Sequence, residues 1–120
     1  MLRTKIRRYL KHGTLRQLSV FEAVARLRSF TRAAEELYMA QPTVSVQIKK
    51  LSESVGLPLF VQHGRRIELT AAGLALEDAC HEVFGTLVRL EDYLGDIREG
   101  SRYSAEVGRA NTALLPVQKA

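Results

Sequence analysis

The chain of 120 residues, 46% hydrophobic and 26% charged, has the size and composition of one ordinary globular domain. Its single cysteine excludes an internal disulfide framework, and no apolar run approaches the ~20 residues that span a bilayer, so we expect a soluble cytoplasmic protein without a membrane partner. The net charge of +5 is unevenly spread, because residues 1–66 carry 13 Lys/Arg and 4 Asp/Glu whereas residues 67–120 carry 5 and 9. This asymmetry indicates either a surface for a polyanion or an ordinary solvated surface.

The first segment, residues 1–13, is basic and contains no acid. Its apolar residues are irregularly spaced, so we expect a mobile extension with some helix. A basic arm that enters a DNA minor groove is the alternative interpretation.

A first helix is predicted to begin at Thr14. The run Thr14-Leu15-Arg16-Gln17 has the pattern of a capping box, in which the threonine hydroxyl and the glutamine amide satisfy each other's backbone N–H groups. Apolar residues then recur at helical spacing and predict one buried stripe: Leu18, Phe21, Val24 and Ala25. We expect this helix to end near Arg28.

The next two helices are separated by a short break at residues 38–41. Thr31 is expected to cap the second helix, which would run from about Arg32 to Leu37. Pro42 suits the first position of the third helix, because its missing N–H has no partner there in any case.

The third helix is amphipathic. Four apolar residues fall at i, i+4, i+7 and i+11 and predict a narrow buried face: Val44, Ile48, Leu51 and Val55. The opposite face has two bases, two hydroxyls and no acid. Its residues are Pro42, Thr43, Ser45, Val46, Lys49 and Lys50, with Gln47 at its boundary. A short helix, a tight turn and a helix of this kind fit a helix-turn-helix whose outer face enters a major groove. The same pattern also describes a helix with a merely solvated face.

Two short apolar stretches, 59–62 and 67–69, flank a glycine-containing turn and predict a β-hairpin. A hairpin directly after a recognition helix forms a wing, and Arg65 and Arg66 at its tip could reach phosphate or a minor groove. His63 has no Cys or His partner at ligand spacing and is expected to be a turn residue. The sequence therefore predicts no metal site and no cofactor.

A long last helix is predicted from 71 to 99, with Thr70 as its cap and Gly100 at its end. Its a/d seam covers three heptads: Leu76, Cys80, Val83, Leu87, Leu90, Leu94 and Ile97. At 1.5 Å per residue the helix would be ~43 Å long, too long to bury its seam against so small a body. We therefore expect a homodimer through this helix, with Cys80 as a small buried hydrophobe; packing on the head of the same chain is the alternative. Residues 100–120 are expected to form a flexible tail.

Several runs together resemble the LysR-type bacterial transcriptional regulators. They are Leu15-Arg16-Gln17-Leu18-Ser19-Val20-Phe21, Ser29-Phe30-Thr31-Arg32-Ala33-Ala34-Glu35-Glu36-Leu37, Ala40-Gln41-Pro42-Thr43-Val44-Ser45-Val46-Gln47-Ile48 and Leu69-Thr70-Ala71-Ala72-Gly73. Within that family, the runs 20–26 and 56–60 and the wing look most like the regulators of Calvin-cycle (RuBisCO) operons.

The resemblance implies a mainly α fold. A winged helix-turn-helix DNA-binding domain with a small β-hairpin wing would occupy residues 14–70, and a long dimerising linker helix would occupy residues 71–99. Dimers of this family often pair into tetramers, bind interrupted-dyad sites in double-stranded DNA and activate or repress, often switching with a small metabolite. Family members continue with an effector domain of about 200 residues. We therefore expect no small-molecule site in this chain, which would be a fragment, a frameshifted product or a naturally short regulator.

The resemblance also implies residue roles. Base reading and positioning would come from Gln41, Pro42, Thr43, Ser45, Val46 and Gln47. Wing contacts would come from Arg65 and Arg66, and Thr31 and Arg32 would approach the DNA backbone. In addition to what the resemblance implies, we expect Lys49 and Lys50, together with Arg65 and Arg66, to supply the salt-dependent phosphate contacts. Val46 replaces an arginine that other members often carry, which favours a thymine methyl over guanine. Gln62 likewise replaces an arginine common after the Leu-Phe pair, which removes one expected charge contact.

Two other classes of function compete with DNA binding. An interaction protein could pair its linker helix with a full-length relative and modulate it. An enzyme is disfavoured, because His12, His63 and His81 are scattered and the sequence has no glycine-rich phosphate loop or metal-ligand spacing.

Overall fold

The computed structural model describes residues 6, 7, 9 and 14–103. Its elements in chain order are α1 (Leu15–Leu27), α2 (Phe30–Leu37), α3 (Gln41–Val55), β1 (Phe60–His63), β2 (Arg66–Leu69) and α4 (Ala71–Tyr103). The predicted mainly helical fold with one β-hairpin is confirmed. The chain divides after Glu82 into two compact units, and we refer to residues 14–82 as the head. Most of the predicted basic extension, and the predicted tail beyond Tyr103, lie outside the described residues.

Helix α1 begins and ends where the sequence predicts. The Thr14 hydroxyl accepts a hydrogen bond from the Gln17 backbone N–H at 3.2 Å, and the helix ends at Arg28 in the left-handed conformation. The reciprocal half of the predicted capping box is wrong, because the Gln17 side-chain oxygen is buried and accepts no hydrogen bond within the described residues. One hydroxyl therefore suffices to cap this helix.

Helix α2 begins two residues earlier than predicted, at Phe30. Its cap is Ser29, whose backbone is extended and whose hydroxyl accepts the Arg32 N–H at 3.0 Å, so the prediction of Thr31 as the cap is wrong. Thr31 is instead the second residue of the helix. Ser29, which directly follows the left-handed Arg28, is the N-cap residue rather than Thr31 two positions later.

Helix α3 begins at Gln41 without a side-chain cap, and Pro42 is its second residue rather than its first. Proline is tolerated there because the N–H groups of the whole first turn lack helical partners. The helix ends at Gly56, whose φ of 84° is a left-handed conformation that favours glycine. Along the predicted stripe, Val44 and Leu51 are fully buried and Ile48 nearly so.

The core of the head lies where α1, α2 and α3 pack together. It is formed by Val20, Phe21, Ala23, Val24, Ala25, Ala33, Ala34, Val44, Ile48, Leu51, Leu59 and Cys80. Phe60 attaches the hairpin to this core, since its ring lies 5.3 Å from that of Phe21 and 6.0 Å from that of Phe30. These contacts hold the wing against the helical body.

The hairpin pairs β1 and β2 antiparallel, with Phe60 opposite Leu69 and His63 opposite Arg66. Its turn is the two-residue loop Gly64–Arg65, and Gly64 has the positive φ of 64° that such turns require. Arg66 therefore lies in β2 rather than at the tip.

The wing residues His63 and Gln62 both form polar contacts within the hairpin. His63 is the last residue of β1 rather than a turn residue, and its Nδ1 lies 3.3 Å from the Glu68 carboxylate. Gln62 donates a hydrogen bond from its side-chain amide to the Gly64 carbonyl at 3.2 Å. Within the described residues, no group of three His, Cys, Asp or Glu side chains is arranged to hold a metal ion.

Helix α4 begins at a close junction with the wing. Thr70 caps it as predicted, because its hydroxyl accepts the Gly73 N–H at 3.0 Å and donates to the Pro58 carbonyl at 2.6 Å. At Gly73 an added Cβ would lie 2.2 Å from the Leu59 carbonyl oxygen. Only glycine permits this approach.

The predicted end of α4 at residue 99 is wrong, because the helix continues to Tyr103. Gly100 does not terminate it, since among the described glycines only Gly56 and Gly64 adopt positive φ. None of the described helices combines the length and hydrophobicity needed to cross a bilayer.

Within the described residues, the seam of α4 is covered only at its start. Cys80 is buried, its sulfur lies 3.8 Å from the Leu18 carbonyl of α1, and burial raises the pKa of its thiol to about 11. Leu76 is half-buried. The remaining seam side chains are 36% to 48% exposed: Val83, Leu87, Leu90, Leu94 and Ile97.

Candidate nucleic-acid interface

The outer face of α3 is fixed by the burial of its inner face. Because Val44 and Leu51 are fully buried, the helix cannot rotate, and the opposite side chains must face outward. The exposed residues of this face are Gln41, Pro42, Thr43, Val46, Lys49 and Lys50, and Ser45 and Gln47 are half-buried beside them. Every predicted helix-three site residue is therefore accessible on one surface, which we call the α3 face.

The α3 face is cationic from Gln41 to Lys50. Within the described residues neither Lys49 nor Lys50 takes part in an ion pair. Glu53 lies two helical turns beyond Val46 on the same side and is exposed, so the acid-free surface ends there. The unpaired charge of this surface lies in the middle of the helix, at Lys49 and Lys50, its ninth and tenth residues.

The first turn of α3 contains a hydrogen bond that sequence reasoning missed. The Gln41 side-chain amide donates to the Ser45 hydroxyl at 3.1 Å, and the i, i+4 spacing of the two residues is the signal that could have revealed it. This bond leaves Gln41 with a free carbonyl oxygen and a second N–H. Adenine presents the complementary acceptor and donor in the major groove.

The start of α2 contains the two residues that we expect to contact the DNA backbone. Thr31 and Arg32 are both exposed in its first turn. The peptide dipoles of a helix make its N-terminus partly positive, which suits a phosphate.

The wing brings the predicted Arg65 and Arg66 beside a basic residue that the sequence analysis did not select. Both wing arginines and Arg28 at the end of α1 are exposed, and within the described residues none of the three is in an ion pair. Together they line a surface cleft of about 430 Å³. Its lining is Arg28, Arg65, Arg66, Ile67, Glu68, Leu69 and Leu74. The sequence predicted Arg28 only as the end of α1 and gave it no role in DNA binding.

Arg26, by contrast, is fully neutralised. Its guanidinium bonds to Glu22 on α1 at 3.0 Å and also to Glu36 on α2. Hydrogen bonding to Arg26 lowers the pKa of the Glu36 carboxyl. In the part of the chain that the structure describes, the lysines of the α3 face and the wing arginines thus differ from Arg26 in having no acidic partner.

Several known proteins are similar to this chain in sequence. A family described as "Bacterial regulatory helix-turn-helix protein, lysR family" matches residues 15–74. The RuBisCO operon transcriptional regulator of Acidithiobacillus ferrooxidans is 46% identical over 110 residues, which is 92% of this chain and 34% of that protein. The protein of the same name from Allochromatium vinosum is 43% identical over 101 residues, 84% of this chain and 33% of that protein. This chain thus spans about a third of the length of these relatives.

Solved structures give the same result. The complex of the BenM DNA-binding domain with benA site 1 DNA matches with a TM-score of 0.68 at 31% identity, covering 72% of this chain and 98% of that chain. The matched part includes a winged helix-turn-helix, which confirms the predicted fold class. The chain belongs to the LysR family of bacterial regulatory helix-turn-helix proteins.

Proposed function

We propose that this chain is the DNA-binding and dimerising part of a LysR-type transcriptional regulator of a RuBisCO operon, and that it binds an interrupted dyad in double-stranded DNA. The observation that carries the proposal is the α3 face, which presents unpaired lysines and free hydrogen-bonding groups on a helix of fixed orientation. A B-DNA major groove is wide enough to admit such a helix. The names of the two regulators described above support the choice of operon.

Base discrimination falls to residues near the start of α3. Gln41 reads adenine through its carbonyl oxygen and its second N–H, with Ser45 holding the amide in place. Val46, whose side chain is 49% exposed, contacts a thymine methyl. Pro42, Thr43 and Gln47 complete the reading surface.

Affinity comes from the bases and from the start of α2. Lys49, Lys50, Arg65 and Arg66 neutralise phosphates, and Thr31 and Arg32 position the backbone. These contacts carry no sequence information and set the salt dependence of binding.

Homodimerisation places two α3 faces on one DNA. Its support is the exposed apolar row from Val83 to Ile97, which repeats at a/d spacing and has no cover within the described residues. A second copy of the same helix offers the complementary row. Assembly of such dimers into tetramers would involve the longer regulators.

Selection from a random double-stranded DNA library tests the function and identifies the operator in one experiment. The 120-residue chain is expected to enrich two inverted half-sites separated by a gap. The double variant Lys49→Gln/Lys50→Gln should lose affinity for all sequences, whereas Gln41→Ala should lose preference at one base pair per half-site. Glu53→Gln is the comparison of opposite sign, because it removes an exposed acid of α3 and keeps both bases, so it should not weaken binding. Absence of any enriched motif would overturn the proposal.

A second candidate function rests on the exposed row of α4. An interaction protein would pair this helix with a full-length relative and modulate it. Mixing the two proteins and measuring promoter binding separates the functions, since capture of the relative by a chain whose homodimer binds no DNA favours the interaction protein.

A further inference from the structure

Arg28 ends α1 in an unusual backbone conformation. Its φ of 54° and ψ of 37° lie in the left-handed region, where a side chain with a Cβ is rarely found and glycine is favoured. The Arg28 N–H donates to the Val24 carbonyl at 2.7 Å, which fixes this conformation. A non-glycine residue at such a position points to a use for its side chain.

That side chain lines the cleft beside the wing. Arg65 and Arg66 line the same cleft, so guanidinium groups from two distant segments of the chain border one surface depression. Glu68 is the only acid in the lining, which leaves a net charge of +2 among the four ionisable residues. The Glu68 carboxylate lies 3.3 Å from the imidazole of His63, outside the cleft lining.

Unpaired like charges around one cleft repel each other until an anion enters. Guanidinium groups bind phosphate oxygens through paired N–H donors, and several of them share the charge of a single phosphodiester. All three arginines are exposed, so the anion can belong to a polymer that passes along the surface. Arg65 and Arg66 are themselves candidate DNA contacts and line the same cleft. A phosphate of the DNA backbone is therefore the anion that we expect to bind there.

We propose that Arg28 is a further DNA-contacting residue, and that it binds a backbone phosphate of the operator in the cleft it shares with Arg65 and Arg66. This inference rests on the proposed function. It extends the phosphate-binding surface from the wing to the end of α1, which was not among the predicted site residues.

The test is a salt titration of DNA binding with the full chain and the DNA enriched by library selection. Arg28→Gln should reduce the log-log salt slope by about one. At about −0.9 per phosphate contact, a variant that lacks one contact and equals the wild type at 1 M salt would bind roughly eightfold more weakly than the wild type at 0.1 M salt. The loss should be the same for specific and random DNA, because a phosphate contact carries no sequence information.

Arg16→Gln is the matched control. Arg16 is an exposed α1 residue outside the cleft, so its replacement removes the same charge and should leave the slope close to that of the wild type. Arg28→Lys should keep most of the slope, because the positive charge remains. An Arg28→Gln slope equal to that of Arg16→Gln would overturn the inference while leaving the proposed function intact. Failure of the wild-type chain to bind DNA would overturn both.

Two glycine variants separate the backbone effect from the charge effect. Arg28→Gly and Tyr38→Gly both relieve a left-handed φ of 54°, so neither should lower the melting temperature. The Arg28→Gly protein should nevertheless lose the phosphate contact. A folded Arg28→Gly protein with the wild-type salt slope would also contradict the proposal.

Discussion

The head and the segment of α4 after Glu82 differ in whether their apolar side chains are buried. All buried apolar residues of the described chain lie at or before Cys80, where three helices and a wing cover each other. From Val83 to Gly100 no described side chain is fully buried, although the apolar spacing continues without a break. Regular spacing of apolar residues therefore predicts that a helix has an apolar face, but it does not predict what covers that face.

The two regions also differ in the state of their charges. Among the residues that the structure describes, Lys49, Lys50, Arg65 and Arg66 of the head have no acidic partner. Between residues 83 and 100 the helix carries two bases and four acids, a net charge of −2. The head therefore presents unpaired positive charge to a partner, whereas the later helix presents a net negative charge.

The largest expected effect concerns the exposed row of α4. Replacing Leu87 and Leu90 together by Asp puts two charges into the row, and we expect the dimer to dissociate with at least a hundredfold increase in Kd, about 3 kcal/mol. The head should keep its melting transition, because neither residue contributes to its core. Sedimentation equilibrium measures the oligomeric state, and circular dichroism measures the fold.

Val88→Asp is the control for that prediction. Val88 is on the same helix segment and 60% exposed, but it lies outside the a/d row. It should leave the dimer intact. A double Asp variant that still sediments as a dimer would show that the row is not the interface.

The next effect contrasts two glycines of one helix. Gly73→Ala forces a Cβ to within 2.2 Å of the Leu59 carbonyl, so we expect the head to lose roughly 1–3 kcal/mol of unfolding free energy. Gly85→Ala, whose Cβ would meet only Arg89 at 3.5 Å, should instead gain about 0.5–1 kcal/mol by improving helix propensity. Urea denaturation of both variants checks the signs. Equal effects would mean that the wing junction is looser than the distances indicate.

Alkaline pH provides a test of the burial of Cys80. Burial raises the pKa of the Cys80 thiol from 9.0 to about 11, so the folded state favours the protonated form. This stabilisation is complete below pH 9.0 and is lost as pH rises towards 11, by up to roughly 2 kcal/mol. Lys and Tyr also titrate in this range, so the measurement is the difference between wild type and Cys80→Ala in urea denaturation at each pH. A difference that does not change with pH would place the thiol in contact with water.

The smallest effect is at the cap of α4. Thr70→Val removes the hydroxyl that joins the Gly73 N–H to the Pro58 carbonyl, and we expect a loss of about 1 kcal/mol of unfolding free energy. Thr70→Ser retains the hydroxyl and should be close to wild type. Thermal unfolding compares the two, and a Thr70→Val protein as stable as Thr70→Ser would contradict the role of the cap.

Local signals made most of the fold predictable. The apolar spacing of α3 located its buried face, the hydroxyl of Thr14 located the start of α1, and Gly64 located the turn of the hairpin. Each of these features depends on residues within a few positions of each other. The position of the α3 face followed directly from the position of the buried one.

The features that escaped prediction depend on alternatives that are close in energy or on distant contacts. Ser29 and Thr31 could each cap α2, and the choice was made by the backbone after Arg28. Gly100 can end a helix or continue it, and its own neighbours do not decide which. Arg28 and the wing arginines come from distant parts of the chain and share a cleft only in the folded protein, so no local pattern could have shown it.

The hydrogen bond between Gln41 and Ser45 has a consequence for the speed and selectivity of recognition. A free glutamine samples several rotamers, and holding one of them costs up to about 1.5–2 kcal/mol of side-chain entropy. Because Ser45 already restrains the Gln41 amide in the unbound protein, a Gln41 that reads a base as proposed would meet part of that cost during folding rather than at the DNA. In that role, a base that cannot pair with the restrained amide would be rejected without the side chain first having to change rotamer.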